Sequence, residues 1–166
     1  MINYYLITKP GIILGNLLTV AAGFLLGSHG NIDILLFLET LMGIAFIIAS
    51  ACVFNNYIDR NIDNKMERTK KRALVQGLIN HRNALIFATL LAFLGTAILY
   101  IFTNTLTVAV AAIGFFVYVV LYSFWKSRTV YGTAIGSVAG AVPPVVGYCA
   151  ASNAFDAAAA ILFAIL

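Results

Sequence analysis

Asn55, Asp59 and Asp63 recur every four residues in the block Asn55-Asn56-Tyr57-Ile58-Asp59-Arg60-Asn61-Ile62-Asp63, where a long apolar stretch gives out. If a helix continues past Phe54 they line one face, each about 6 Å of axial rise from the next. A row of oxygen donors suits a hard divalent cation. Mg²⁺ takes one or two carboxylates and completes its shell with waters and phosphate oxygens. A basic run from Lys65 to Arg72 follows, in which Arg68 and Arg72 are again four apart and can present forked donors to phosphate. Metal on one side of a diphosphate and basic groups on the other would stabilise it as a leaving group. The bland reading is a solvated helix end, with a basic loop that sets topology or attracts anionic lipid. Continuity with a membrane span, the arginine pair and a 60–82 loop longer than a bare connection needs favour the chemical reading.

Membrane helices must position these groups. The 166-residue chain is 62% hydrophobic and 10% charged, with mean hydropathy +0.98. Soluble domains are nearer 45–50% apolar and about 25% charged, so the composition predicts an all-α polytopic membrane helical bundle. Apolar runs at 11–28, 34–54, 83–103, 106–125 and 132–151 can each cross a hydrocarbon core of about 30 Å. A sixth begins near Phe155 and is still apolar at Leu166. The expectation is that 1–166 forms the N-terminal part of one longer domain; a six-helix protein with a short last span is the alternative.

The ten basic residues, Lys9, Arg60, Lys65, Arg68, Lys70, Lys71, Arg72, Arg82, Lys126 and Arg128, fall in alternate breaks between spans. The positive-inside rule then puts the N-terminus and the 55–82 and 126–131 loops in the cytoplasm. The net charge of +4 serves orientation, and no nucleic-acid partner is needed to explain it. Cys52 and Cys149 lie in apolar spans without partners at metal spacing, and read as small buried hydrophobes. Lys9 reads as an interfacial residue before Pro10, which suits a first helical turn. Asn16 is a polar group within a span, either bonding a neighbouring helix or lining a cavity. Tyr118, Tyr122 and Trp125 read as an interfacial aromatic belt. Gly132, Gly136 and Gly140 predict close helix packing. Pro143-Pro144 predicts a kink or break, tolerated at membrane depth only against protein or a wet cavity.

Thr8-Lys9-Pro10-Gly11-Ile12, the Asn55–Asp63 block and Met66-Glu67-Arg68-Thr69-Lys70-Lys71-Arg72 closely resemble the UbiA-type intramembrane prenyltransferases, nearest to the branch that farnesylates protohaem. Tyr122-Ser123-Phe124-Trp125-Lys126 and the 136–144 segment are also similar to that branch. The resemblance implies a nine-helix fold around a cavity whose cytoplasmic mouth holds Mg²⁺ and a prenyl diphosphate. By position it implies that Asn55, Asp59 and Asp63 associate with metal, the two aspartates acting in catalysis. It implies diphosphate contact for Asn55, Arg68, Arg72 and Lys126. Gly11 and Tyr131 stand where the family often has Arg and Asn, and Ser127 splits an otherwise adjacent basic pair.

The implied reaction transfers farnesyl from farnesyl diphosphate to haem b, forming haem O and releasing diphosphate. The implied setting is the bacterial inner membrane, with the bilayer and a downstream haem A synthase or terminal oxidase assembly as partners. A second Asp-rich motif would lie beyond Leu166, so residues 1–166 by themselves are expected to insert but not to catalyse. Rival readings are a prenyltransferase acting on a quinone or chlorophyll precursor, a CDP-alcohol phosphotransferase and a cation-coupled transporter. The Asp-Gly-x-x-Ala-Arg opening of the phosphotransferases is absent. A transporter built around a Gly/Pro-broken 132–151 helix calls for acidic groups near the midplane. Glu39, the nearest of the six acids, lies close to the outer end.

Overall fold

The computed structural model describes residues 2–126 and 131–165. Arg128 and Leu166, used above for topology and for the unfinished sixth span, lie outside them, as does Ser127. The described residues form helices α1 (Ile2–Ile7), α2 (Pro10–Gly27), α3 (Ile34–Asp63), α4 (His81–Phe102) and α5 (Thr105–Phe116). A π-helical stretch (Val117–Tyr122) and a short α6 (Ser123–Trp125) continue α5, before α7 (Gly132–Ser152) and α8 (Ala157–Ile165). Five spans among them are long and apolar enough to cross a membrane, Thr105–Trp125 counting as one. The chain is an all-helical polytopic membrane bundle.

Local chemistry starts and joins the helices. Pro10 opens α2, where its missing N–H costs nothing, and Lys9 before it is left-handed at φ 55°. Asp33 Oδ1 accepts from Leu36 N at 3.1 Å to cap α3, and Asn80 Oδ1 accepts from Arg82 N at 2.9 Å to cap α4. Asn104 caps α5 through Thr107 N at 2.8 Å and donates its amide to Cys149 O at 2.9 Å. The tight 103–105 hairpin is thereby tied to the end of α7.

The helices pack chiefly as α3 on α4 and α2 on α7. Small residues make both pairings close. A Cβ on Gly23 would fall 1.9 Å from Pro144 O, and one on Gly147 would fall 2.0 Å from Val20 O. Gly43 and Gly95 meet in the same way between α3 and α4, where Ser50 Oγ also donates to Ala88 O at 2.7 Å. The 132/136/140 stripe packs as expected only in part: Gly132 abuts Lys126 and Gly136 abuts the Tyr122 ring at the end of the fifth span, while a Cβ on Gly140 would meet nothing within 4 Å. Helix α7 is not broken. It runs through Pro143 and Pro144, and α2 packs directly against Pro144, so the neighbouring helix holds the segment despite the lost N–H donors. Leu18, Leu90, Phe93 and Ile113 remain exposed on outer faces, as lipid-facing side chains should.

Candidate active site

Helix α3 is 30 residues long and outruns its apolar core. That overrun presents Asn55, Asp59 and Asp63 on one face, buried at 2%, 5% and 5% exposure. In sequence the block reads as a helix end at the membrane surface, where carboxylates would stay wet. The structure buries them, because the 64–80 segment folds back over the end of α3. Ala73, Leu74 and Ile79 anchor that segment in a core with Ile7 and Val53, and Thr69 Oγ1 donates to Asp63 O at 3.0 Å. The return brings Arg72 onto Asp63 in an ion pair, while Arg68 stays at the rim.

The other wall comes from the end of the fifth span. Its π-helical stretch carries Tyr118 and Tyr122, stacked at 5.5 Å, and the turn after it delivers Lys126 to Asp59 as a second ion pair. Such π insertions re-aim side chains and recur at functional sites. Lys126 Nζ also lies 5.2 Å from the Tyr122 ring centre. Lys9 closes the floor, donating Nζ to Asn55 Oδ1 at 2.9 Å, and Asn55 Nδ2 donates to Ser123 Oγ at 3.0 Å. Burial pushes the Lys9 ammonium below its ordinary pKa, and the Arg72 and Lys126 charges push the same way. The amide oxygen of Asn55, which the resemblance associates with metal, accepts from a cation here, as the Asp59 and Asp63 carboxylates also do.

These groups surround a cavity of about 450 Å³. All six residues singled out in sequence line it, together with Lys9, Tyr118 and Tyr122. A second, apolar cavity of about 160 Å³ adjoins it, sharing Ile12 and Tyr118. Ile47, Cys52, Phe115, Gly140 and Pro143 are among its walls. Asn16 lines it too, its amide donating to Ile12 O at 2.7 Å within α2, so it makes no interhelical bond there.

No cluster of three or more His, Cys, Asp or Glu able to hold a metal occurs among the described residues. Two carboxylates remain, and Asp59 Oδ1 is buried without a hydrogen-bond partner. A buried acceptor left open beside an all-oxygen donor set fits a hard cation that draws its remaining ligands from water and phosphate.

Sequence reasoning missed Lys9, Ser123 and the two tyrosines as site members. Lys9 was legible only as an interface residue, and the tyrosines only as belt aromatics. Their roles depend on which helices meet, and nothing local encodes that.

Residues 16–166 match the UbiA prenyltransferase family. The chain belongs to that family. It is 61% identical over 167 residues to a protoheme IX farnesyltransferase of Protochlamydia amoebophila, covering 100% of this chain and 59% of the relative. A second protoheme IX farnesyltransferase, from Edwardsiella ictaluri, is 59% identical over 98% of this chain and 55% of its own length. The chain thus spans somewhat over half the length of these UbiA-family relatives. Among solved structures, digeranylgeranylglyceryl phosphate synthase superposes with TM-score 0.83 at 23% identity, covering 97% of this chain and 56% of that one. A UbiA homologue from Archaeoglobus fulgidus bound to DMAPP and Mg²⁺ gives 0.79 at 21% identity, covering 97% and 59%. At such identities these likenesses establish the UbiA fold alone.

Proposed function

We propose that this chain forms the diphosphate-binding side of a farnesyltransferase that alkylates haem b to haem O. The observation that carries the reading is the junction of two cavities. One is polar, lined by paired acidic and basic groups; the other is apolar, and they meet at Tyr118 and Ile12. That shape fits a molecule with an anionic head and a hydrocarbon tail. The names of the relatives supply the farnesyl donor and the haem acceptor.

Asp59 and Asp63 would hold Mg²⁺, which neutralises diphosphate charge and stabilises its departure. Lys126 and Arg72, now paired with those aspartates, would turn their donors to phosphate oxygens once metal takes over the carboxylates. Arg68 would reach the diphosphate from the rim, and Lys9 with Asn55 from the floor. The allylic C–O bond then breaks with its electron pair going to diphosphate. The apolar walls keep water from the allylic cation, the Tyr118 ring at the junction can stabilise it, and the haem vinyl attacks it; the cation this leaves on the haem side is quenched by a water that adds there and loses a proton, giving the hydroxyl of haem O. The polar mouth is assigned to the cytoplasmic face of the bacterial inner membrane, on the alternation of basic residues.

The test is to replace Asp59 or Asp63 by Asn in a protein of the relatives' full length, supply farnesyl diphosphate, haem b and Mg²⁺ to membranes, and quantify haem O by chromatography. Turnover should fall by about two orders of magnitude or more, the scale of several kcal/mol of leaving-group stabilisation. Near-normal Mg²⁺-dependent transfer by either variant would remove the assigned role.

A further inference from the structure

A third cavity, of about 250 Å³, opens between α1 and the returning 64–80 segment. Lys9, Lys71 and Arg72 line it, and no acidic residue does. Lys9 and Arg72 form the wall it shares with the polar site, and each gives one donor to that site, on Asn55 and Asp63 respectively. Lys71 is the cation this cavity has to itself, and makes no ion pair with the described residues.

Asn56 also lines the cavity and is 4% exposed. Its Nδ2 donates to Ile7 O at 2.8 Å, but its Oδ1 is buried with no partner. A buried amide oxygen without a donor is costly, so the occupant that belongs here carries an O–H or N–H. The anion preference comes from the lysines and arginine, and the donor requirement from Asn56. Leu6 and Leu78 beside them are 56% and 62% exposed, an apolar rim next to a basic floor at the end of a membrane span.

We propose that this cavity binds the headgroup of an anionic membrane phospholipid, its phosphodiester on Lys71 and a headgroup hydroxyl donating to Asn56 Oδ1. The acyl chains would run over Leu6 and Leu78. Phosphatidylglycerol has this chemistry.

The test uses the purified protein, stripped of lipid in detergent, and follows thermal unfolding as lipid is titrated in. Phosphatidylglycerol should raise the midpoint saturably. Phosphatidylmethanol, with the same charge but no headgroup hydroxyl, should bind more weakly, and inorganic phosphate should give no comparable shift. Lys71→Gln should weaken the apparent affinity for phosphatidylglycerol about tenfold, the scale of one charge-assisted hydrogen bond. Lys65→Gln, an exposed basic neighbour outside the cavity, should leave it unchanged. Equal losses in the two variants would reduce the effect to diffuse surface charge and overturn the site. Equal binding of the two lipids would overturn the role of Asn56, and phosphate acting as well as lipid would make this a free-anion site.

Discussion

Lys9 shows how much one backbone angle can decide. At φ 55° it sits in a region that side-chain-bearing residues seldom adopt, between α1 and the proline that opens α2. The side chain then reaches α3, and its Nζ meets Asn55 among Asp59, Arg72 and Lys126. A charge held below its ordinary pKa by burial gains when an anionic ligand arrives. Lys9→Met should therefore raise KM for the prenyl diphosphate by about 10- to 100-fold, the scale of a hydrogen bond to a charged group. Lys9→Arg, which keeps the charge but not the compact head, should recover part of the loss. Steady-state kinetics at saturating acceptor measure both, and an unchanged KM in Lys9→Met would confine Lys9 to a structural role.

Burial also changes what aspartate replacement does to folding. Lys126 and Asp59 have side chains only 22% and 7% exposed, so Asp59→Asn strands a largely desolvated ammonium. The expected cost is about 1–3 kcal/mol, less than for a fully buried pair because Lys126 keeps some water. Adding Lys126→Gln to Asp59→Asn should restore part of the stability and none of the activity. Thermal unfolding beside turnover separates the two effects.

At the scale of elements, spacing predicts contact less well than it predicts faces. The Gly132/Gly136/Gly140 stripe is regular, yet the backbone-to-backbone crossing uses Gly23 and Gly147 on helices far apart in sequence. Gly147→Ala would drive a methyl into Val20 O and should cost about 1–3 kcal/mol or more, the scale of overpacking. Gly140→Ala meets nothing within 4 Å, so it should fold normally while narrowing the apolar cavity it lines. Unfolding midpoints of the two variants check the contrast. Another junction is electrostatic. Asp156 accepts from Tyr148 OH at 2.8 Å and from the first N–H groups of α8, which holds its carboxyl below the ordinary carboxylate pKa. A lowered folded-state pKa means that this stabilisation is complete above the unfolded value and is lost as pH falls through the folded one. Asp156→Ala should lower the unfolding midpoint at neutral pH, and the gap to the parent should close below the ordinary carboxylate range.

Across the whole molecule, the sequence announces what is periodic and hides what is tertiary. The five long spans lie within one or two residues of their apolar runs except at the end of α3, because lipid imposes a length on every crossing helix. The Asn55/Asp59/Asp63 face was legible for the same reason, since a helix fixes its own register. The burial of that face, the floor made by Lys9 and the π-helical turn behind Tyr118 all follow from how separate helices and the 64–80 segment meet. Orientation rests on charge alone. Basic residues gather at the end that holds the polar cavity, while the 28–33 turn has none. In the proposed orientation the cavity faces the cytoplasm and the turn faces outward. Thr69 is a poor probe position because it is buried and bonded to Asp63, whereas Glu67 and Asn31 are exposed. With Cys52 and Cys149 replaced by Ala, Asn31→Cys should react with an impermeant thiol reagent in intact cells. Glu67→Cys should react only after the membrane is opened. The reverse pattern would turn the protein over and place the diphosphate mouth on the outer face.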